Sequence, residues 1–290
     1  MRSKVKIVTD STAYLLPETI ATYDIHVVPL KVAFGTEVYS EGVDITNEEF
    51  YRRLVKSSTP PTTSQPPVTD FAKVYSELTS LGHPIFSIHI SSKLSGTLNS
   101  ALAAKDAFPE AQIEVVDWLS MGMGLLVTAA ARAAEEGDGL PQIKAKIKQL
   151  APCVSIFAML DTLKYAWRGG RIGRGKALLG SLLSIKPILA LENAEAKPLA
   201  RARSRAKGVE YMLKLLEKRV GTSNSIHHGV VFHSGVFEEA LALEREVRAR
   251  FNCTELDVVE VGPVFGTHTG PGALGLAFYT DEDWQRTSLK

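Results

Sequence analysis

The 290-residue sequence has few cysteines, almost no net charge and no long apolar run. Its two cysteines, Cys153 and Cys253, have no second cysteine or histidine at metal-ligand spacing, which argues against a zinc site or a disulfide framework. Thirty-three basic residues against 32 acidic ones give a formal charge of +1. No global field would therefore attract nucleic acid, and any contact with an anionic surface must be local.

The chain also lacks an apolar stretch of the roughly 20 residues that a membrane-spanning helix needs. Its first residues carry positive charge but reach Asp10 before any long apolar region, which is unlike a signal peptide or an anchor. We therefore expect a soluble protein of the cytoplasm.

The first half of the chain alternates short, β-branched apolar segments with helical patterns. The predicted strands are Val5 to Thr9, Ile25 to Leu30, Pro84 to Ile90 and Ile113 to Val116. The predicted helices are Asn47 to Lys56, Val68 to Leu81, Leu98 to Phe108, Gly122 to Glu136 and Pro141 to Leu150. This alternation predicts βαβ units and a mostly parallel sheet covered by helices.

The second half places longer strand patterns closer together. Its predicted strands are Val154 to Leu160, Pro187 to Leu191, Pro198 to Ser204, Gly229 to His233, Leu256 to Val261 and Leu274 to Tyr279. Helices are predicted from Ala206 to Arg219 and from Phe237 to Phe251. We expect a two-domain α/β protein, with residues 1–150 forming a mostly parallel domain and residues 151–290 a domain whose sheet is partly antiparallel. The boundary is predicted within about ten residues of position 150.

Common catalytic and nucleotide-binding signatures are missing or incomplete. HExxH and GxSxG do not occur. The segment from Gly170 to Ala177 resembles a P-loop, but Ala177 has no hydroxyl for a magnesium ion. The GxGxxG match at Gly270 to Gly275 leads into a strand pattern, and no acidic ribose partner follows it. No cofactor is predicted.

Several loops rich in hydroxyl and small residues stand at strand ends or before helices. They are Thr9 to Thr12, Thr62 to Pro66 and Ser91 to Thr97, and His268 lies in a fourth, glycine-rich loop from Gly266 to Gly272. Hydroxyls and free N–H groups at such places can bind a carboxylate or a phosphate, or they can simply cap helices. The number of these loops favours an anion site between the domains.

These segments together resemble the DegV family of fatty-acid-binding proteins. The motifs are Val8 to Ser11, Thr63 to Pro66, Ser91 to Thr97, Asp161 to Leu163, Gly169 to Gly173, Lys186 to Leu189 and Gly262 to Gly272. They occur in the family's order and cover nearly the whole chain.

The resemblance implies one long-chain fatty acid buried in an apolar tunnel, with its carboxylate near the domain interface. Thr63 and Ser95 would donate hydroxyl hydrogen bonds to this carboxylate, Gly96 would donate its backbone N–H, and His268 would stand beside it. Arg203 would be a basic residue near the head group. Trp118 and Glu41 depart from the family pattern, which expects a small hydroxyl residue and Asp at these places.

The resemblance also implies a partner, because some family members present the bound acid to a separate fatty acid kinase for acyl phosphorylation and phospholipid synthesis. Two other functions stay open at this point. One is a hydrolase of acyl esters with Ser95 as nucleophile, His268 as base and Asp10 or Asp161 as orienting group. The other is a lipid sensor with a regulatory partner.

A basic, leucine-rich stretch runs from Thr162 to Leu191 and contains no acidic residue. Within it, the segment from Ala177 to Leu183 contains Leu178 and Leu179. This pattern fits a core helix with charged flanks. It also fits a movable helix over the tunnel mouth, with Arg171 and Arg174 touching anionic lipid or a partner.

Overall fold

A computed structural model of the chain describes residues 3–118, 121–171, 185–192 and 195–288. Within these ranges the strands are β1 (Lys6–Asp10), β2 (His26–Val28), β3 (Lys31–Phe34), β4 (Glu37–Ser40), β5 (Thr62–Ser64), β6 (Ile85–Ile90), β7 (Ile113–Trp118), β8 (Ser155–Met159), β9 (Lys186–Glu192), β10 (Glu195–Ala202), β11 (Ser225–His233), β12 (Asn252–Glu260) and β13 (Leu274–Tyr279). The α-helices are α1 (Pro17–Tyr23), α2 (Asn47–Lys56), α3 (Val68–Ser80), α4 (Thr97–Lys105), α5 (Met123–Glu135), α6 (Leu140–Leu150), α7 (Lys164–Arg168), α8 (Arg205–Val220), α9 (Phe237–Arg250), α10 (Pro263–Thr269) and α11 (Asp281–Ser288). None of the described helices is both long and apolar enough to cross a bilayer.

The first sheet has the strand order β2-β1-β6-β7, and all of its neighbours pair in parallel. Strand β6 is buried along its whole length, as expected for a central strand that is covered on both faces. Helices α3 and α4 pack on one face through Phe71, Tyr75 and Ala101. The predicted parallel sheet is therefore confirmed.

The second sheet has the order β10-β9-β8-β13-β11-β12. Its neighbours are antiparallel except β11 and β12, which are parallel. Helices α8 and α9 cover one face and contribute Leu213, Leu216 and Leu243 to its core. This mixed sheet confirms the predicted partly antiparallel second half.

A third, small sheet of order β4-β3-β5 was not predicted. Its strands are short. Strands β4 and β5 are also half exposed, so their sequences lack the alternation of apolar and polar residues that predicts a strand. Pairing across distant segments forms it instead, with Val32 opposite Thr63. This sheet holds Thr63 in place.

Helix α5 lies between the two large sheets and is buried on nearly every side. The core around it combines Ile7 and Phe86 of the first sheet with Ile156 and Ala277 of the second. The first sheet ends at Trp118 and the second begins at Ser155, so the predicted boundary near residue 150 falls between them. The exact division stays a prediction.

The predicted glycine-rich loop around His268 was wrong for its first half, which is the helix α10. Pro263 begins this helix, where a missing N–H costs nothing. The hydroxyls of Thr267 and Thr269 donate to carbonyls one turn earlier, at 2.9 Å each, and are thus satisfied inside the helix. Gly270, with φ of +72°, ends it in a conformation that favours glycine.

Candidate functional site

A cavity of about 300 Å³ lies between the two large sheets and the small one. Most of its wall is apolar and comes from strand ends and the segments that follow them, including Ile90, Leu160, Leu189, Leu191, Phe232 and Val261. Such a cavity, apolar over most of its wall with a few polar groups gathered in one place, is the usual form of a small-molecule site.

The polar part of the wall contains four of the five ligand-binding residues predicted from sequence, namely Thr63, Ser95, Gly96 and His268. The Oγ1 of Thr63 lies 3.0 Å from Nε2 of His268. The Oγ of Ser95 lies 2.8 Å from Oγ1 of Thr97, at the beginning of α4. The structure thus brings these groups from three distant parts of the chain to one end of the cavity.

The Ser95 turn is held by local backbone bonds and by Gln65. Both Leu94 N and Ser95 N donate to Ser91 O, at 2.8 and 3.1 Å, which folds the chain back after β6. Gly96 precedes the first residue of α4, and a side chain there would overlap the amide of Gln65. Gln65 in turn donates to Ser100 Oγ at 3.0 Å. This close approach locks the two hydroxyl-rich loops together.

His268 lies in the last turn of α10, with its ring packed against Gly169, where a Cβ would overlap it. Its Nδ1 is buried and has no hydrogen-bond partner within the described ranges. Burial lowers the pKa of His268 to about 4, and the positive charge of Arg171 acts in the same direction. The imidazole is therefore neutral at pH 7.

Arg171, which was predicted to contact anionic lipid or a partner at the tunnel mouth, also lines the cavity. Its guanidinium donates to Gly169 O at 2.8 Å and to Leu94 O at 3.4 Å. It thus spans the gap between the His268 side and the Ser95 turn. The other residues predicted at the tunnel mouth are Arg174, Leu178 and Leu179, and they lie outside the described residues.

An outer groove of about 550 Å³ meets the cavity at Thr63, Arg171 and His268. Its described wall also includes the basic residues Lys164 and Arg168 and contains no carboxylate. The polar end of the cavity therefore faces a basic groove on its other side.

Arg203, the fifth predicted ligand residue, is exposed and is not part of the cavity wall. Arg205, two positions later, instead contacts the loop that follows α10. Arg205 Nη1 donates to Gly272 O at 2.7 Å, and its Nε donates to Glu239. No sequence signal distinguished Arg205 from Arg203, because both belong to the same basic run. A head-group role for Arg203 stays a prediction.

The loop from Thr9 to Thr12 does not join the cavity, although its composition resembles that of the other loops. Asp10 is fully buried, and its Oδ1 accepts from the backbone N–H and the hydroxyl of Thr12. Its Oδ2 accepts from Ile90 N at 2.9 Å and lies 3.2 Å from His89 Nδ1. Here the polar residues serve as internal caps.

The triad of a hydrolase is not assembled by these residues. The hydroxyl of Ser95 bonds to Thr97, and the carboxylates of Asp10 and Asp161 bond elsewhere. Asp161 pairs with Lys186 and Arg205. The Nδ1 of His268, which an orienting carboxylate would contact, has no partner in the described part of the chain. The geometry therefore lends no support to this alternative.

Trp118 ends β7 and is partly buried, but it does not line the cavity. Glu41, the other departure from the family pattern, is buried at the interface of the two halves.

The sequence profile described as "Uncharacterised protein, DegV family" matches residues 4–281. This chain belongs to the DegV family. Protein DegV of Bacillus subtilis is 33% identical over 277 residues, which cover 94% of this chain and 98% of that protein. A DegV domain-containing protein of Listeria monocytogenes is 36% identical over 281 residues, which cover 96% of this chain and 99% of that protein.

Solved DegV structures share the whole fold. A DegV family protein from Thermus thermophilus, described as binding fatty acid, has a TM-score of 0.90 and 34% identity, and the match covers 96% of this chain and 99% of that one. The fatty-acid-binding DegV of Bacillus subtilis has a TM-score of 0.86 at 32% identity, over 96% and 100% of the two chains. A stearic-acid-binding protein from Eubacterium ventriosum has a TM-score of 0.88 at 29% identity, over 97% and 99%.

Proposed function

We propose that this DegV protein binds one long-chain fatty acid and acts as a carrier rather than as an enzyme. The observation that supports this most directly is the largely apolar cavity whose polar residues, Thr63, Ser95, Gly96, Arg171 and His268, gather at one end. The tail would fill the apolar part, and the carboxylate would lie at the polar end. Solved relatives that bind fatty acids have the same fold.

The polar end has the donors that a buried carboxylate needs. The hydroxyls of Thr63 and Ser95 and the N–H of Gly96 would hydrogen-bond its oxygens, and Arg171 would add positive charge. The site also lies at the beginning of α4, where the helix dipole favours an anion. Hydrogen bonds to an ionised acceptor are the strong kind, and they offset the cost of burying the charge.

The tail would supply most of the affinity. At about 0.8 kcal/mol per buried methylene, a chain of roughly 16 carbons contributes on the order of 10 kcal/mol before ordering costs. The head group would then fix orientation. This division explains why so few polar residues line the cavity.

The proposal extends to a separate kinase that phosphorylates the bound carboxylate in the cytoplasm and so supplies phospholipid synthesis. The basic outer groove supports it, because Lys164, Arg168 and Arg171 stand where a phosphate donor would approach the head group. The same basic character of the described groove supports a transient contact with an anionic membrane surface.

Organic extraction of freshly purified protein, followed by mass spectrometry, tests the proposal. We expect close to one fatty acid per chain. Protein stripped of lipid should gain thermal stability when palmitic acid is added, because a ligand that binds only the folded state stabilises it. Extracts without acid, together with no thermal shift on addition, would refute the carrier function.

A further inference from the structure

One short segment of the second half, residues 260–265, accepts or donates four hydrogen bonds with side chains of the first half. Asn47 donates to the carboxylate of Glu260 at 3.1 Å, and Tyr51 donates to Val261 O at 2.7 Å. The next residues begin α10, the helix that carries His268. The orientation of this helix is therefore set across the interface between the halves.

The first turn of α10 is capped by two side chains that are distant in sequence. Val264 N donates to Oε1 of Glu41 at 2.7 Å, and Phe265 N donates to the hydroxyl oxygen of Tyr14 at 3.1 Å. Tyr14 in turn donates to the same Oε1 at 3.1 Å. Both N–H groups would otherwise be unsatisfied, since the first turn of a helix has no internal acceptors. Glu41 and Tyr14 thus form one cap, which we name the interface cap.

The interface cap is built into the fold at some cost. Only 5% of Glu41 is exposed, and a buried carboxylate is expensive unless several donors meet it. Ser11 provides a third donor at 2.5 Å, and the absence of a side chain at Gly262 leaves room for the carboxylate. Tyr14 adopts a φ of +46°, a conformation that is rare for a bulky residue. Strain of this kind persists where the surroundings impose it, commonly at functional sites.

Helix α10 can transmit this restraint to the head-group site. Val264 and His268 are four residues apart, so they lie one turn apart on the same face of the helix. Gly266 packs closely against the rings of Phe50 and Tyr51, which leaves little room for the helix to slide. A tilt of the first turn would therefore move the His268 ring away from Thr63.

We propose that Glu41, with Tyr14, is a positioning residue of the head-group site: the interface cap fixes the first turn of α10 and thereby orients the imidazole of His268 toward Thr63. The effect on ligand affinity rests on the proposed function. The effect on the imidazole itself does not depend on it.

Side-chain NMR of ¹⁵N-labelled histidines in ligand-free protein tests the positioning directly. We expect Glu41→Gln and Tyr14→Phe to shift the His268 ring signals, and Glu41→Ala to shift them further. His227, which bonds to Asp281 far from α10, serves as the internal control and should not move. Unchanged His268 signals in Glu41→Gln and Tyr14→Phe would overturn the proposal even if Glu41→Ala fails to fold.

A double-mutant cycle with palmitic acid tests the consequence for binding. At pH 8, where Glu41 is ionised, we expect Glu41→Gln to weaken affinity roughly fivefold when His268 is present, because one charge-assisted bond to α10 is weakened. In the His268→Ala background the same change should have almost no effect. Fully additive losses would show that Glu41 does not act through His268. If the wild-type chain binds no acid, the carrier function fails, and the NMR result alone decides the positioning role.

Discussion

Thr63 and His268 are 205 positions apart in sequence, yet Thr63 Oγ1 and His268 Nε2 lie 3.0 Å apart at the polar end of the cavity. Thr63 belongs to the small sheet of the first half, and His268 belongs to a helix of the second half. The proposed head-group site therefore forms only when the two halves are docked.

We expect Ser95→Ala to weaken fatty acid affinity by about 1 to 3 kcal/mol, because the bound carboxylate loses one donor. Thr63→Val should cause a similar loss, and it should also lower ligand-free stability slightly by leaving His268 Nε2 unpaired. Isothermal titration with palmitic acid measures the affinities. Ser223→Ala, which removes a hydroxyl remote from the cavity, is the control. Undiminished affinity in the Ser95→Ala, Thr63→Val double variant would show that the carboxylate lies elsewhere.

Fatty acid binding should raise the pKa of His268 from its value of about 4, because a carboxylate beside the ring favours the protonated form. Because the pKa of His268 is lowered in the folded state, the neutral imidazole contributes to the stability of the ligand-free protein above about pH 6.5. This contribution is lost as the pH falls through about 4. Binding should therefore take up protons at pH 5.5 and hardly any at pH 8. Titration calorimetry in buffers of different ionisation enthalpy measures this uptake, and equal proton release at both pH values would contradict the head-group position.

Gly169→Ala should weaken binding roughly tenfold, because the new Cβ overlaps the His268 ring and displaces it. The backbone at Gly169 has a φ of −77°, which alanine adopts easily, so the effect is steric and local. Gly139→Ala is the matched control, since its φ is −84° and it lies away from the cavity. Wild-type affinity in Gly169→Ala would mean that the ring position does not matter for binding.

Stability should depend on pH through Glu41, whose pKa burial raises to about 7. Asp10, Tyr14 and Tyr51 are the titratable groups that face it. Because the pKa of Glu41 is higher in the folded state than in the unfolded state, its contribution to folding stability is fully present below about pH 4.5. This contribution is lost as the pH rises through about 7.

The Glu41→Gln variant should not lose stability in this way as the pH rises. Its free energy of unfolding relative to wild type should therefore increase by on the order of 2 to 3 kcal/mol between pH 5 and pH 8. Urea unfolding at both pH values measures the difference. Glu18→Gln, which removes an exposed carboxylate, controls for net charge. A constant difference between Glu41→Gln and wild type across this range would refute the prediction. A variant that is more stable yet binds more weakly would separate positioning from simple structural support.

Replacing Leu178 and Leu179 with Glu should slow exchange of fatty acid with vesicles, while affinity for soluble acid changes much less. Neutralising Arg171 and Arg174 should slow transfer from anionic vesicles most at low salt, where screening is weakest. Fluorescent fatty acid transfer measures both rates, and neutral vesicles provide the control. Transfer rates that are unchanged in both sets of variants would favour a core helix over a movable helix at the tunnel mouth.

The sequence was sufficient for the fold class because the relevant signals are local. The apolar run that forms β6 and the capping residue Thr46 before α2 both predict their elements without knowledge of distant contacts. The small sheet and α10 were missed for the opposite reason. Strand β5 is short and polar and forms only by pairing with β3, and the glycines and hydroxyls of α10 disfavour a helix that is held by distant side chains.

By itself the sequence determined which side chains could bind a carboxylate, since hydroxyl-rich turns at strand ends are a local chemical pattern. Only the tertiary structure decided which of them lie together at one end of the cavity. The loops around Asp10 and Ser95 are alike in composition, but His89 and Ile90 occupy the first, whereas the second faces the cavity. The same polar group can cap its own chain or meet a ligand. Which of these it does depends on contacts between residues that are distant in sequence, such as Asp10 and Ile90, which are 80 positions apart, and no local pattern records them.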